Sequence, residues 1–196
     1  MASKTNTRVY DIGFFSSADR GLDVLLDMIP TIEEKLGRKV TTVWAYGWDI
    51  YDQFHAKNPE KMKWKWNVIR KMADVGMESK GRLSHEELNQ LMQDTDVWAY
   101  PTSFTEIFCI TALKAQAAGC RVITSGLAAL QETVLIDEPE IVDIQNNPKE
   151  LAKFIDRVVA TLKTERNEED LKQIADQVLQ ENSWQATALA WDKVLK

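Results

Sequence analysis

Short β-rich apolar runs alternate with amphipathic stretches of helical period almost from end to end of the chain. This is the pattern of a parallel sheet covered by helices on both faces. Arg8 to Phe15 (RVYDIGFF) reads as the first strand. Leu22, Leu25, Leu26 and Ile29 then recur on one helical face behind Gly21, and Gly37 supplies the stop after Leu36. Pro30 falls inside that helix and is expected to bend it or shorten its regular part. The second strand, Lys39 to Tyr46, runs into a Gly47-Trp48-Asp49 loop. Pro59 to Ala73 follows as a helix with Met62, Trp66, Ile69 and Met72 in register, and Gly76 to Lys80 as a weak edge piece. Ser84 with Glu87 is a capping box, in which hydroxyl and carboxylate each satisfy a free N–H, so a helix is expected from His85 to near Asp94.

Asp96 to Tyr100 is a buried strand closed by Pro101, and Glu106 to Ala118 is a helix closed by Gly119. Arg121 to Thr124 is the next strand, Leu127 to Val134 a short helix and Glu140 to Ile144 a last short strand. Pro148 to Leu162 carries a clean apolar stripe of Leu151, Phe154, Ile155, Val158, Val159 and Leu162. Two helices, Glu168 to Gln180 and Trp184 to Leu195, end the chain without a strand. The expected class is therefore α/β: a doubly wound parallel sheet of about six strands, helices on both faces, and extra C-terminal helices.

With 196 residues, 44% of them hydrophobic, the chain suits one compact domain or two very small ones. Lys and Arg number 24 against 30 Asp and Glu, a formal charge of -6, so no basic field exists to hold a nucleic acid. No apolar run approaches the roughly 20 residues of a membrane span, and Met1 to Thr7 has no hydrophobic signal core. Cys109 and Cys120, the only cysteines, lack C-x-x-C spacing, which leaves no disulfide framework or structural zinc site and makes a reducing cytoplasm the expected setting. His55 and His85 lack metal-ligand spacing and read as solvated loop or helix-start residues.

In such a sheet ligands bind beyond the carboxyl ends of the strands. Four loops qualify: Phe15 to Gly21, Gly47 to Tyr51, Lys80 to Leu83, and Pro101 to Glu106. None carries G-x-G-x-x-G, a P-loop or G-x-S-x-G, which disfavours a dinucleotide oxidoreductase, a P-loop NTPase and an α/β-hydrolase. Absence of a Y-x-x-x-K pair speaks against a nucleotide-sugar epimerase as well. What remains is Arg20 as a fixed cation beside the first loop, and the stretch from Tyr100 to Val134. There a loop bearing Thr102, Ser103, Thr105 and Glu106 leads into a helix whose first free amides are expected at Ile107, Phe108, Cys109 and Ile110, placed to hold a diphosphate. Trp48, in Y-G-W-D at the ligand-side end of a strand, is a candidate donor or acceptor contact.

Pro101, Glu106, Ala115-Gln116-Ala117-Ala118-Gly119, the strand Arg121 to Thr124 and the small-residue loop Ser125 to Glu132 follow one another in an informative order. Upstream stand Asp19-Arg20-Gly21-Leu22-Asp23 and Gly81-Arg82-Leu83-Ser84-His85-Glu86-Glu87-Leu88. In this order and spacing the chain, from residue 8 to 195, resembles the C-terminal donor-binding domain of the nucleotide-sugar-dependent glycosyltransferases of the GT-B fold, group 1 (family four) type. The resemblance implies a Rossmann-like domain over 8–182, with 1–7 a disordered N-terminus and 183–196 a C-terminal helix packing back on the domain or on a missing N-terminal one.

It also implies roles. Glu106 matches a glutamate that faces the donor sugar, and Arg20 a basic residue that neutralises the leaving diphosphate. A companion arginine of the family falls on Phe15, leaving Ser16 and Ser17 as hydrogen-bond donors in its place. Arg82 and Leu83 stand where the backbone meets the base. Lys114 occupies the place of a second glutamate that accepts from the ribose diol, a departure because an ammonium can only donate. The expected function is hexosyl transfer from a nucleotide-diphosphate sugar, with retention of configuration and without metal or cofactor, since cations and amides stabilise the departing diphosphate. The alternative is a non-catalytic nucleotide-sugar-binding or interaction module that kept the fold. A GT-B enzyme needs two such domains, so the expected partners are the nucleotide sugar and an N-terminal acceptor domain, on another chain or lost by truncation, which the helix bearing Trp184 and Trp191 would meet.

Overall fold

A computed structural model describes residues 8–135, 144 and 146–195. The N-terminal segment 1–7 and nearly all of the expected strand Glu140 to Ile144 lie outside the described residues. Among those described, five strands form one sheet: β1 (Tyr10–Phe14), β2 (Thr42–Trp44), β3 (Glu78–Ser79), β4 (Thr95–Tyr100) and β5 (Arg121–Thr124). Their order is β3-β2-β1-β4-β5 and every neighbouring pair is parallel. All carboxyl ends therefore emerge on one edge, and the order reverses beside β1, which opens the crevice that ligands of such sheets use.

The helices are α1 (Leu22–Leu36), α2 (Asp49–His55), α3 (Pro59–Val75), α4 (His85–Gln93), α5 (Ile110–Ala117), α6 (Leu130–Thr133), α7 (Pro148–Lys163), α8 (Glu168–Asn182) and α9 (Trp184–Val194). On one face of the sheet α1 packs between α3 and α7; on the other α5 packs between α4 and α8. The central strands are apolar on both faces because helices cover both: every residue of β4 is buried, as are Ile12, Phe14, Val43 and Trp44.

Several elements differ from the expectation. The second strand is Thr42–Trp44 rather than Lys39 to Tyr46, because Arg38 forks onto the Asp11 carboxylate at 2.8 and 3.0 Å, Val40 N–H donates to Glu33 at 3.2 Å and Thr41 N–H to Asp11 at 2.8 Å; these donors go to side chains, while the Thr41 carbonyl reaches β1, accepting from the Asp11 and Ile12 amides. α1 continues through Pro30, which sits on its exposed face. Residues 49–55 form a helix that the loop reading lacked. In α3 the buried face is Lys65, Val68 and Met72, and Trp66 is exposed. Lys65 buries its stem while its ammonium bonds Asp52 at 2.6 Å, which turns the helix away from the Trp66 face. The capping box at Ser84 and Glu87 forms as expected, and α7 buries Phe154, Ile155, Val158 and Val159.

At the amino ends of β4 and β5, Asp96 is 1% exposed and anchors the C-terminal helices to the sheet. Arg121 bonds its carboxylate through Nε at 2.9 Å and Nη2 at 2.5 Å, and Arg166 through Nη1 at 2.5 Å. Arg121 also donates to the carbonyls of Thr161 and Thr164, and Arg166 to that of Gly119, so the connector between α7 and α8 is tied to the sheet floor. Removing one member of such a buried cluster leaves charge uncompensated. Asp96→Ala should therefore lower stability by about 3–5 kcal/mol, read as a lower urea midpoint at unchanged slope. Lys35→Ala, which breaks an exposed pair with Asp156, should cost about 1 kcal/mol or less in the same experiment.

Candidate functional site

Two loops cross at the carboxyl edge. Gly21, at φ 112°, lies where a Cβ would stand 2.5 Å from the carbonyl oxygen of Pro101, so only glycine lets the loop after β1 come against the loop after β4. That contact brings Arg20 to Glu106, Nη1 to Oε1 at 3.0 Å. The Arg20 guanidinium also stacks 4.1 Å from the centre of the Phe104 ring. Tyr100, the last residue of β4, donates its hydroxyl to the same Oε1 at 2.6 Å, and the Ser16 hydroxyl lies 3.4 Å from the Tyr100 oxygen. Since the Tyr100 proton is committed to Glu106, the Ser16 hydroxyl is the donor in that pair.

The result is a carboxylate held by two donors on one oxygen. Burial, then the adjoining Glu106 carboxylate, pushes the Tyr100 phenol well above its ordinary range, so it stays a neutral donor. At Arg20 burial is the largest single influence and lowers the pKa, but Glu106 and Tyr100 together outweigh it, so the net shift is upward and the group stays a cation. The Glu106 carbonyl accepts from Ala129 N–H at 3.2 Å, which ties the loop after β5 to the same residue. Among the described residues Oε2 of Glu106 accepts from no protein group, and Arg20 keeps a side chain 36% exposed. The pair thus offers outward one open acceptor and further guanidinium donors.

The helix expected from Glu106 begins instead at Ile110. Cys109 takes a left-handed conformation, φ 52° and ψ 67°, as its N-cap, so Ile107, Phe108 and Cys109 lie in an irregular loop. The apolar run conceals this break, because it contains neither glycine nor proline; the inward pull of Tyr100, Arg20 and Ala129 on Glu106 sets it. The amides of Ile107, Phe108, Cys109 and Ile110 nonetheless donate to no protein acceptor among the described residues. Around them Phe104, Ile107, Phe108 and Ile110 are exposed, with Ile107 at 95%. Burial pushes the Cys109 thiol up to about 11, so it remains protonated at neutral pH.

Beside this cluster a cleft of about 230 Å³ opens, lined in part by Phe15, Tyr46, Arg82, Leu83, His85 and Lys114. Tyr46 borders the cleft, with the Arg82 guanidinium 5.9 Å from its ring centre. Lys114 bonds Nδ1 of His85 at 2.8 Å. The structure therefore gathers Ser16, Arg20 and Glu106 in one cluster and Arg82, Leu83 and Lys114 in the adjoining cleft.

Ser17 caps the short 3-10 turn Ala18–Arg20 through its carbonyl, which accepts from Arg20 N–H at 3.0 Å, and its hydroxyl makes no cap bond. Trp48 stands apart, in an aromatic group with Trp44, Tyr51 and Trp64 at 5.1, 5.4 and 6.1 Å between ring centres, and with the Lys65 ammonium 5.3 Å from its own ring. Residues the sequence did not single out are Tyr46, Tyr100 and Phe104, and His85, read as a solvated helix-start residue, begins α4 but bonds Lys114; Tyr46 and Tyr100 end apolar runs at the ligand edge, which is the signal that could have found them.

Among the described residues no helix is long and apolar enough to cross a membrane. No curated protein matches the chain significantly. Solved structures do. HepE of Anabaena, in complex with UDP and glucose, superposes with a TM-score of 0.60 at 19% identity, covering 94% of this chain and 48% of that one. Sucrose-phosphate synthase of Thermosynechococcus elongatus gives 0.67 at 20% identity, covering 95% and 45%. The C-terminal domain of the group 1 glycosyl transferase LpcC of Francisella tularensis gives 0.57 at 17% identity, covering 89% and 86%. The chain thus spans about half the length of the first two and nearly all of the third. These likenesses show the fold, a Rossmann-like domain of GT-B type. The family model described as glycosyl transferases group 1 matches residues 8–161, most of the chain, and on that ground the chain belongs to the group 1 glycosyl transferases.

Proposed function

We propose that this chain is the donor-binding half of a glycosyltransferase, binding a nucleotide-diphosphate sugar for hexosyl transfer with retention of configuration. The observation that carries the reading is the Arg20–Glu106–Tyr100 cluster at the carboxyl edge of the sheet. Arg20 supplies fixed positive charge for the diphosphate, and the unclaimed amides of Ile107 to Ile110 supply neutral donors beside it. As the bond from the anomeric carbon to the diphosphate oxygen breaks, negative charge grows on that oxygen, and these donors need no reorganisation to meet it. Oε2 of Glu106 accepts from a hydroxyl of the sugar, while Tyr100 and Arg20 hold Oε1. The amides act here as members of a loop rather than as a helix N-terminus, since α5 starts at Ile110.

On this reading no metal or cofactor is required, because the chain's own donors meet the charge. HepE of Anabaena has been captured with UDP, with UDP-glucose and with UDP and glucose, which supports a nucleotide-sugar donor for a chain of the same fold. Its relatives' greater length supports a second, acceptor-binding domain as partner. Two exposed apolar surfaces suit that partner: the loop of Phe104, Ile107 and Phe108 beside the site, and α9, which buries no residue and exposes Trp184, Leu189 and Trp191. The free thiols of Cys109 and Cys120 support a reducing, cytoplasmic setting.

A second reading, a binding module without turnover, is favoured by one observation: Glu106 already occupies Arg20, so the cation beside the diphosphate position is matched internally. Sugar transfer or donor hydrolysis in the presence of acceptors and an N-terminal domain would exclude it. UDP, GDP and ADP and their sugars, titrated against the chain by calorimetry, should include at least one saturable ligand below millimolar concentration; no saturation with any of them sinks the donor reading. Arg20→Ala should weaken binding of that nucleoside diphosphate about tenfold or more while leaving the nucleoside nearly unchanged. Equal losses for both ligands would refute the phosphate role of Arg20.

A further inference from the structure

The cleft between the ends of β1, β2 and β3 and the start of α4 has an unusual donor set. Lys114 and Arg82 face it, and among the described residues neither pairs with a carboxylate. An ammonium can only donate, so Nδ1 of His85 is the acceptor of the 2.8 Å bond from Lys114 and the ring proton sits on Nε2, a third donor. The remaining polar residues of the lining are Tyr46 and Ser84, whose hydroxyl caps α4 by accepting from Glu87 N–H at 3.2 Å. Among the described residues no carboxylate lines the cleft. Carboxylates stand outside this lining: in the first turn of α4 Glu87 accepts from Ser84 N–H at 2.8 Å in the capping box, and Asp49 lies behind the Arg82 backbone, where a Cβ on Gly47 would meet Arg82 N at 3.1 Å and Asp49 Oδ2 at 3.5 Å.

A neutral vicinal diol placed against such a surface would find donors for its oxygens and no strong acceptor for its protons. An anion with several acceptor oxygens would satisfy the whole set, with Phe15 and Leu83 as apolar walls for the group that carries it.

We propose that this cleft takes a phosphate monoester, held by Lys114 and Arg82, at a place distinct from the diphosphate position beside Arg20. Within the donor reading, on which its setting rests, the phosphate is one carried on the ribose of the nucleotide; the same chemistry would also accept a phosphate from an unrelated small molecule. His85 orients Lys114 and adds its Nε2–H.

The test is a calorimetric series on the whole chain with adenosine 5′-monophosphate, adenosine 2′,5′-bisphosphate, adenosine 3′,5′-bisphosphate, inorganic phosphate and glucose 6-phosphate, repeated with Lys114→Gln, Lys114→Glu and the exposed Arg82→Gln. At least one bisphosphate should bind about tenfold or more tightly than the monophosphate, and each variant should erase that difference. Binding that follows Lys114 and Arg82 for the phosphates alone, with no nucleotide bound, supports the cleft as a phosphate site and removes the nucleotide setting. Two results would overturn the proposal: Arg82→Gln and Lys114→Gln leaving every phosphate ligand unchanged, or Lys114→Glu tightening the plain monophosphate, which would make the cleft a diol site. Thermal unfolding of each variant separates lost binding from lost fold.

Discussion

The strand Thr95–Tyr100 is the constraint on which the rest depends. It lies inside the sheet, next to β1 and β5, and all its residues are buried between two helical layers. Both of its ends carry polar groups that cannot reach bulk water, so each must be satisfied by protein. At the amino end Asp96 draws Arg121 and Arg166 onto the sheet floor and thereby fixes the connector to α8. At the carboxyl end the Tyr100 hydroxyl bonds Glu106, and this carboxylate in turn holds Arg20. One buried strand thus sets both the packing of the C-terminal helices and the geometry of the site.

The division between the two ends is chemical as well as spatial. The floor cluster is closed, with the guanidinium groups of Arg121 and Arg166 satisfying a buried carboxylate. The upper cluster is incomplete: one oxygen of Glu106, part of the Arg20 fork and the amides of 107–110 have no protein partner among the described residues. Polar groups left unmatched at a sheet's carboxyl edge are what a polar ligand requires. Strain gathers at the same edge, where Cys109 adopts a left-handed backbone and Gly21 passes against Pro101. Both features sit in loops, and both place Glu106 rather than the core.

Much of this was legible beforehand, for local reasons. Alternation of β-rich runs with amphipathic stripes is a property of neighbouring residues, so the class of fold, the stripe of α7 and the capping box at Ser84 could be read directly. The order of Arg20-Gly21, Gly81-Arg82, Glu106 and Gly119 is also sequence information, and it carried the family resemblance that the match over 8–161 establishes. Departures occurred where a distant group outbid the local pattern. Asp11 captured Arg38 and Thr41 and shortened β2; Asp52 captured Lys65 and turned α3; Arg20 and Tyr100 captured Glu106 and delayed α5.

The sequence by itself determined which residues could bury, which could cap and which could carry charge, because these follow from composition and from periods of two and 3.6 residues. Tertiary structure alone decided which charges meet. Arg20 and Glu106 are 86 residues apart and join only because a glycine allows two loops to cross. Lys114 and His85, 29 residues apart, meet only because α5 packs beside α4. Trp48, at a strand end that marked it for ligand contact, was taken into an aromatic group with Trp44, Tyr51 and Trp64. Electrostatic and aromatic contacts depend on distances through space, and a one-dimensional pattern holds no record of those.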